Sequence, residues 1–131
     1  MLTGGCFCGA VRYAVTAAPS HPTLCHCADC RRIAGAPAVA WFTVSVAGFH
    51  LTDGQPRRCR SSPRVERQFC GDCGTGLTYR HDDLAEIDIT LCSLDAPERL
   101  APADEIWCSR RLPWMEPGRR RPEYPRARPA E

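Results

Sequence analysis

Seven of the ten cysteines lie in three short clusters whose spacing suits metal binding. The clusters are Cys6-x-Cys8, Cys25-x-Cys27-x-x-Cys30 and Cys70-x-x-Cys73. Four thiolates close a tetrahedral zinc site, whereas three leave one coordination position open for chemistry. The seven cysteines therefore divide into a set of four and a set of three, which predicts one structural site and one reactive site.

The first and third clusters each place a glycine directly after their second cysteine, at Gly9 and Gly74. In a metal-binding turn this position favours a positive φ, and the neighbouring backbone N–H groups point at the sulfurs. The alternative metal is iron, in a site like that of rubredoxin. Zinc is favoured, because four-cysteine structural sites usually hold zinc. A disulfide framework is the other alternative. We predict a closed zinc site with four ligands: Cys6, Cys8, Cys70 and Cys73.

The middle cluster supplies three thiols within six residues, with no fourth cysteine in phase: Cys25, Cys27 and Cys30. Water or a substrate thiol could occupy the remaining position, and a bound thiol would become a nucleophile at neutral pH. The alternative is a second structural zinc, completed by a histidine or by one of the three remaining cysteines. We expect His26 to point away from the metal. We expect the remaining cysteines to be small buried residues: Cys59, Cys92 and Cys108.

Charged side chains follow or interrupt the middle cluster. Arg31 and Arg32 come directly after it, where they would bind an anionic cofactor or substrate at the metal. A solvated surface pair is the alternative. Asp29 is predicted either to accept a proton or to cap the short helix that follows.

Composition excludes several classes of function. All 17 basic residues are arginines, so a lysine Schiff base cannot form. Seven thiolates and two zinc ions would change the formal charge from +2 to −1, so a nucleic-acid partner is not predicted. No apolar stretch approaches the roughly 20 residues of a membrane helix. Reduced cysteine clusters without a signal-like start predict a cytoplasmic protein.

Alternating apolar residues predict a mostly β, antiparallel domain over residues 1–116, with one short helix at Ala28–Ala34 that ends at Gly35. Residues 19–22 are predicted to form a loop, and residues 64–80 to form a strand, CxxC turn and strand as in a zinc knuckle. The predicted strands are 10–15, 38–46, 49–51, 64–69, 77–80, 86–91 and 105–108. Residues 117–131 form a Pro/Arg-rich tail, in which residues 119–121 are predicted to be solvated.

Five segments together resemble the glutathione-dependent formaldehyde-activating enzyme family, which includes centromere-protein-V-like members. The similar segments, within about residues 4–115, are Gly5-Cys6-x-Cys8-Gly9, Cys25-His26-Cys27-x-x-Cys30-Arg31, Arg67-x-Phe69-Cys70-x-x-Cys73-Gly74, Ser93-Leu94-Asp95 and Ile106-Trp107 with Leu112-Pro113-Trp114. The resemblance implies a β-tent fold with two zinc ions. It assigns the structural zinc to the four-cysteine set and the catalytic zinc to the three-cysteine set.

The resemblance also implies an activity and partners. Family members join formaldehyde to glutathione to give S-hydroxymethylglutathione, which is a carbon–sulfur lyase reaction in reverse. The expected partners are thus a small glutathione-like thiol and an aldehyde. The alternatives are a non-catalytic zinc scaffold and a redox or metal-trafficking protein. Trp107 and Trp114 are predicted to be apolar anchors for the C-terminal segment, with a cleft lining as the alternative.

Overall fold

The computed structural model describes residues 1–116, 122–126 and 128–129, which form two β-sheets and one α-helix. The smaller sheet has the strand order β1 (Leu2–Gly5), β2 (Arg12–Val15) and β5 (Phe49–Asp53). The larger sheet has the order β10 (Asp104–Ile106), β3 (Ser20–Cys25), β4 (Val39–Ser45), β9 (Glu86–Thr90), β8 (Gly76–His81), β7 (Val65–Phe69) and β6 (Arg57–Ser62). Helix α1 (Ala28–Ala34) connects β3 to β4.

The hydrophobic core lies between the two sheets. Tyr13 and Val15 on β2 are each 1% exposed, and they belong to the same buried cluster as Phe42 on β4 and Ile89 on β9. Alternation along each strand turns every second side chain to this core. The predicted mostly β fold is therefore confirmed, and the opposite face of β4 and β9 is left to line a cavity.

Strands with an apolar face were predicted within a few residues of their observed bounds: β2, β4, β5, β7, β8 and β9. The strands β1 and β6 were not predicted. Every residue of β6 is exposed, so this edge strand is held by backbone pairing with β7 and carries no hydrophobic pattern. The predicted loop at residues 19–22 is wrong, because β3 begins at Ser20 and continues through a bulge at His21 and Pro22.

One strand pair departs from the antiparallel arrangement of the described sheets. Strand β10 runs parallel to β3, and Ile106 lies opposite Cys25. The predicted strand at 105–108 is thus shorter than expected, because Cys108 already belongs to a 3-10 turn. This pairing brings the residues after Ile106 to the end of β3 that carries the middle cysteine cluster.

The predicted tail lies largely outside the described residues, including the three arginines at 119–121, and the boundary at residue 116 stays a prediction. Within the described part of the chain, no helix has the length and apolar character needed to cross a membrane.

Candidate functional site

Four cysteines from two distant turns meet in one cluster. Their Sγ atoms all lie within 4.8 Å of one another, and Cys8 Sγ is 3.6 Å from Cys6 Sγ and 3.7 Å from Cys70 Sγ. A zinc–sulfur bond of 2.3 Å implies a sulfur–sulfur separation of about 3.8 Å in a tetrahedral site. The donor set therefore fits a zinc ion, which would join the β1–β2 turn to the β7–β8 turn through Cys6, Cys8, Cys70 and Cys73.

Local backbone geometry explains why these turns present their sulfurs. Gly9 has a φ of 82° and Gly74 a φ of 83°, so the predicted positive φ after the second cysteine is confirmed in both turns. The N–H of Val11 donates to Cys6 Sγ at 3.2 Å, and the N–H of Cys73 donates to Cys70 Sγ at 3.5 Å. Such donors stabilise thiolate charge.

Three of these thiols have shifted pKa values. The hydroxyl and backbone N–H of Thr75 lower the pKa of Cys73 to about 5. Burial raises the pKa of Cys6, but the Val11 N–H and the sulfurs of Cys8 and Cys70 outweigh it, so the net shift is downward. The backbone N–H of Ala10 lowers the pKa of Cys8, but the sulfur of Cys6 and burial outweigh it and raise that pKa to about 12. Cys6 and Cys73 thus favour the thiolate, the form that binds a metal cation, whereas the thiolate of Cys8 would be stabilised by the cation itself.

The middle cluster is built where β3 passes into α1. Cys25 ends β3, and Cys27 is the N-cap of α1, where its Sγ accepts the N–H of Cys30 at 3.2 Å. The Sγ atoms of Cys25 and Cys30 are 3.6 Å apart, and all three sulfurs lie within 4.8 Å. Helix α1 ends at Gly35 with a φ of 62°, as predicted. The three sulfurs thus also fit one zinc ion.

The contact between Cys25 Sγ and Cys30 Sγ shifts the pKa values of these two thiols in opposite directions. The contact with Cys25 lowers the pKa of Cys30 to about 5, and the contact with Cys30 raises the pKa of Cys25. A proton is therefore shared unequally between the two sulfurs, and only a cation would favour thiolates at both positions.

His26 lies between two of these cysteines but faces away from them. Its ring is 1% exposed, and its Nε2 is 2.8 Å from Glu105 Oε1. This contact lowers the pKa of Glu105. The backbone N–H of His26 donates to the carbonyl of Ile106 at 3.0 Å. The orientation expected for His26 is confirmed, and its role is to fix the cysteine loop against β10.

The three remaining cysteines do not complete the middle cluster. None of them belongs to a metal-binding group within the described ranges, and all three are exposed. The expectation that they are buried is wrong, because they lie on the edge strand β6 and in two 3-10 turns, where the chain runs over the surface: Cys59, Cys92 and Cys108.

A cavity of about 610 Å³ opens over the middle cluster, within the size range of small-ligand sites. Its wall includes the three cysteines of that cluster and one face of the larger sheet. A single transverse row crosses that face, since Thr43 on β4 pairs with Asp88 on β9, Asp88 with Tyr79 on β8, and Tyr79 with Arg67 on β7. Directly opposite residues on paired strands point to the same side, so the row lines the cavity.

Arg67 is the buried cation of this cavity. Its side chain is 8% exposed, its Nε donates to Ser61 Oγ at 3.0 Å, and its guanidinium lies 4.9 Å from the centroid of the Tyr79 ring. It lies beside Cys30 and contributes to the low pKa of that thiol, and within the described ranges it pairs with no carboxylate. The sequence analysis did not single out Arg67 as a site residue. Alternation along the predicted strand 64–69 places Arg67 on the same face as Val65 and Phe69, and an arginine on such an apolar face was the signal that could have identified it.

Asp88 is a carboxyl group half-buried in the same wall. Its Oδ1 accepts a hydrogen bond from the Thr43 hydroxyl at 2.6 Å. Burial raises the pKa of Asp88 above its ordinary value, although the Thr43 hydroxyl opposes the shift. The cavity therefore holds a proton-exchanging group on the same sheet face as the buried guanidinium.

Arg31 and Arg32 lie elsewhere. They line a shallow groove beside α1 with Leu112 and Trp114, and Arg31 Nε donates to the His26 carbonyl at 3.3 Å. Their predicted binding of an anion at the metal stays a prediction. Asp29 lines the cavity, but Cys27 Sγ and not Asp29 caps α1, so the capping alternative is wrong.

The two late tryptophans are surface residues. Trp107 is 61% exposed and lines the cavity. This position agrees with the alternative prediction, that it lines a cleft, better than with an apolar anchor for the C-terminal segment. Trp114 is 44% exposed and lies in the groove beside α1, and its role as an anchor of the C-terminal segment stays a prediction.

Comparisons with known proteins agree with this architecture. The model of the family described as glutathione-dependent formaldehyde-activating enzyme matches residues 1–110. A crystal structure of a Rhodobacter sphaeroides protein, determined in a structural genomics programme, is similar with a TM-score of 0.65 and 21% identity. The alignment covers 79% of this chain and 98% of that one, and it shows the fold alone. No curated protein matches the chain.

Proposed function

Since the chain belongs to the glutathione-dependent formaldehyde-activating enzyme family, we propose that it is a zinc-dependent enzyme of the carbon–sulfur lyase type. Its substrates are a thiol and an aldehyde, with glutathione and formaldehyde as the pair that the family description names. One zinc ion is structural and the other is catalytic.

The contrast between the two cysteine clusters carries this proposal. The four-sulfur cluster has a complete tetrahedral donor set. The three-sulfur cluster has one donor fewer, and its sulfurs lie in the wall of the 610 Å³ cavity. A metal centre with an open position facing a cavity is the arrangement of catalytic zinc sites.

In the reaction one bond forms, one bond breaks and one proton is transferred. The glutathione sulfur forms a bond to the formaldehyde carbon, the carbonyl π bond breaks, and the thiol proton ends on the new hydroxyl oxygen. Zinc bound by the three thiolates would supply a position that favours the thiolate form of the substrate sulfur at neutral pH. Residues of the cavity would stabilise the negative charge on the oxygen and transfer the proton.

Arg67 and Asp88 have chemistry suited to those two tasks. Arg67 is buried beside Cys30 with guanidinium N–H groups free of any carboxylate in the described ranges, so it would donate to the oxygen as negative charge develops there. Asp88 would accept the thiol proton and return it to the alkoxide, a task favoured by its raised pKa.

The test is exchange between free and formaldehyde-bound glutathione, followed by two-dimensional exchange NMR with the zinc-loaded protein. The wild type should accelerate the exchange, and the Cys27→Ser variant should not. Cys92→Ser is the matched control, because Cys92 is an exposed cysteine outside both clusters. It should keep wild-type activity.

Lack of acceleration by a protein that holds two zinc ions would refute the activity and favour a non-catalytic zinc scaffold. Equal activity of the Cys27→Ser variant would refute the assignment of catalysis to the middle cluster. We also propose a cytoplasmic location, where a reducing environment keeps both clusters as thiols.

A further inference from the structure

Two residues at the mouth of the cavity have an unusual backbone conformation. His21 on β3 has a φ of 49° and Trp107 after β10 a φ of 56°, and they are the non-glycine residues with positive φ in the described ranges. Both line the cavity. The left-handed region is uncommon for histidine and an outlier for a residue as bulky as tryptophan. Such conformations persist where the surrounding structure enforces them, and they cluster at ligand-binding sites.

The structure around Trp107 supplies that enforcement. The carbonyl of Ile106 accepts the His26 N–H at 3.0 Å. Glu105 contacts His26 at 2.8 Å and Arg111 at 3.4 Å. Glu105 and Ile106, before Trp107, are therefore fixed to the cysteine loop, and Arg111, after it, is joined to Glu105. The indole is held at the cavity mouth instead of being buried.

Two side chains of this segment have no partner among the described residues. Trp107 and Arg110 both line the cavity and are both exposed. Neither side chain makes a hydrogen bond, ion pair or ring contact with the described part of the chain. An indole face can pack on a planar amide, and a guanidinium is the side chain best suited to a carboxylate.

We infer that Trp107 and Arg110 determine which thiol the enzyme uses, by binding the peptide part of a thiol that carries a free carboxylate. This inference rests on the proposed function, because it concerns the thiol substrate of the same cavity. Arg110 pairs with the carboxylate and Trp107 packs on the adjoining amide, several bonds away from the sulfur. A small thiol without these groups gains nothing from either residue.

The inference is tested with S-methylglutathione, because its blocked sulfur cannot bind a metal as a thiolate. Binding to the zinc-loaded full chain is measured by calorimetry and by tryptophan fluorescence. The Trp107→Ala and Arg110→Ala variants should each bind about tenfold more weakly than the wild type. Two variants outside the cavity serve as matched controls and should bind like the wild type, namely Trp114→Phe and Arg80→Ala.

Kinetics give a second measurement. The KM for glutathione should rise about tenfold in Trp107→Ala and Arg110→Ala, with kcat and the KM for 2-mercaptoethanol unchanged. Trp107→Gly relieves the left-handed strain, so its thermal stability should equal or exceed that of the wild type while its binding is weak.

The outcomes separate this inference from the proposed function. Binding of S-methylglutathione that is absent in the wild type, or unchanged in both cavity variants, would overturn the inference even if exchange is catalysed. Binding that depends on Trp107 and Arg110, without catalysed exchange, would support the inference and refute the proposed activity.

Discussion

The loss of one ligand should destabilise the protein far more in the four-sulfur cluster than in the three-sulfur cluster. We compare Cys70→Ser with Cys27→Ser. Cys70 is 1% exposed, and a serine there would place a hydroxyl in a buried position. Serine at 27 would retain an N-cap acceptor for α1, since its hydroxyl can replace the sulfur that accepts the Cys30 N–H.

The magnitude follows from the lengths of the loops that each metal closes. Cys8 and Cys70 are 62 residues apart, and cross-linking a loop of that length restricts the unfolded chain by about 4 kcal/mol at 25 °C. Cys25 and Cys30 are 5 residues apart, for which the same relation gives about 2 kcal/mol. Where the substitution releases the ion from its cluster, Cys70→Ser should therefore lower the free energy of unfolding by about 2 kcal/mol more than Cys27→Ser, before the buried hydroxyl is counted.

Urea denaturation of the zinc-loaded proteins measures this difference, with zinc content determined by mass spectrometry on the same samples. A gap of 2 kcal/mol corresponds to about 7 °C in the midpoint of thermal unfolding for a chain of 131 residues. Cys73→Ser and Cys30→Ser are a second pair that should differ in the same direction. Equal losses of stability in both pairs would refute the division into a structural and a catalytic site.

Two further predictions concern single residues outside the ligand sets. Burial raises the pKa of Tyr13 to about 12, whereas an unfolded tyrosine ionises near pH 10. The folded state therefore holds the phenol proton more tightly, and the resulting stabilisation is fully present below pH 10. The free energy of unfolding should fall by about 2–3 kcal/mol as the pH rises from 10 to 12. Tyr13→Phe should lack this loss in urea titrations at several pH values, and parallel curves for the two proteins would show that another group is responsible. Arg67→Met should lower kcat for exchange by about 100-fold with little change in the KM for glutathione. A change confined to KM would mean that Arg67 binds the substrate instead of stabilising the alkoxide.

Features set by neighbouring residues were predictable from the sequence. The positive φ of Gly9 and Gly74 follows from the cysteine turns themselves, and the bounds of α1 follow from the stop at Gly35. The grouping of seven cysteines into two clusters required only their spacing and the glycines that follow them. These inferences need no knowledge of how the sheets are assembled.

Features that depend on strand register were not predictable in the same way. Arg67 reaches the cavity because β7, β8 and β9 pair in a register that aligns it with Tyr79 and Asp88. Trp107 reaches it because β10 pairs in parallel with β3, which no local pattern indicates. The exposed position of Cys59 has the same origin, since β6 is an edge strand without an apolar face.

The parallel pairing of β3 with β10 also sets an order of events during synthesis. The three sulfurs of the middle cluster leave the ribosome together and can take up a metal ion before any sheet exists. The contact that fixes their loop, between His26 and Glu105, joins residues 79 positions apart. The nascent chain therefore carries a complete metal-binding motif long before it has the wall that selects what reaches the metal. During that interval the cluster is open to any thiophilic ion or small thiol, and the wall is completed only when β10, the last of its strands to be synthesised, pairs with β3.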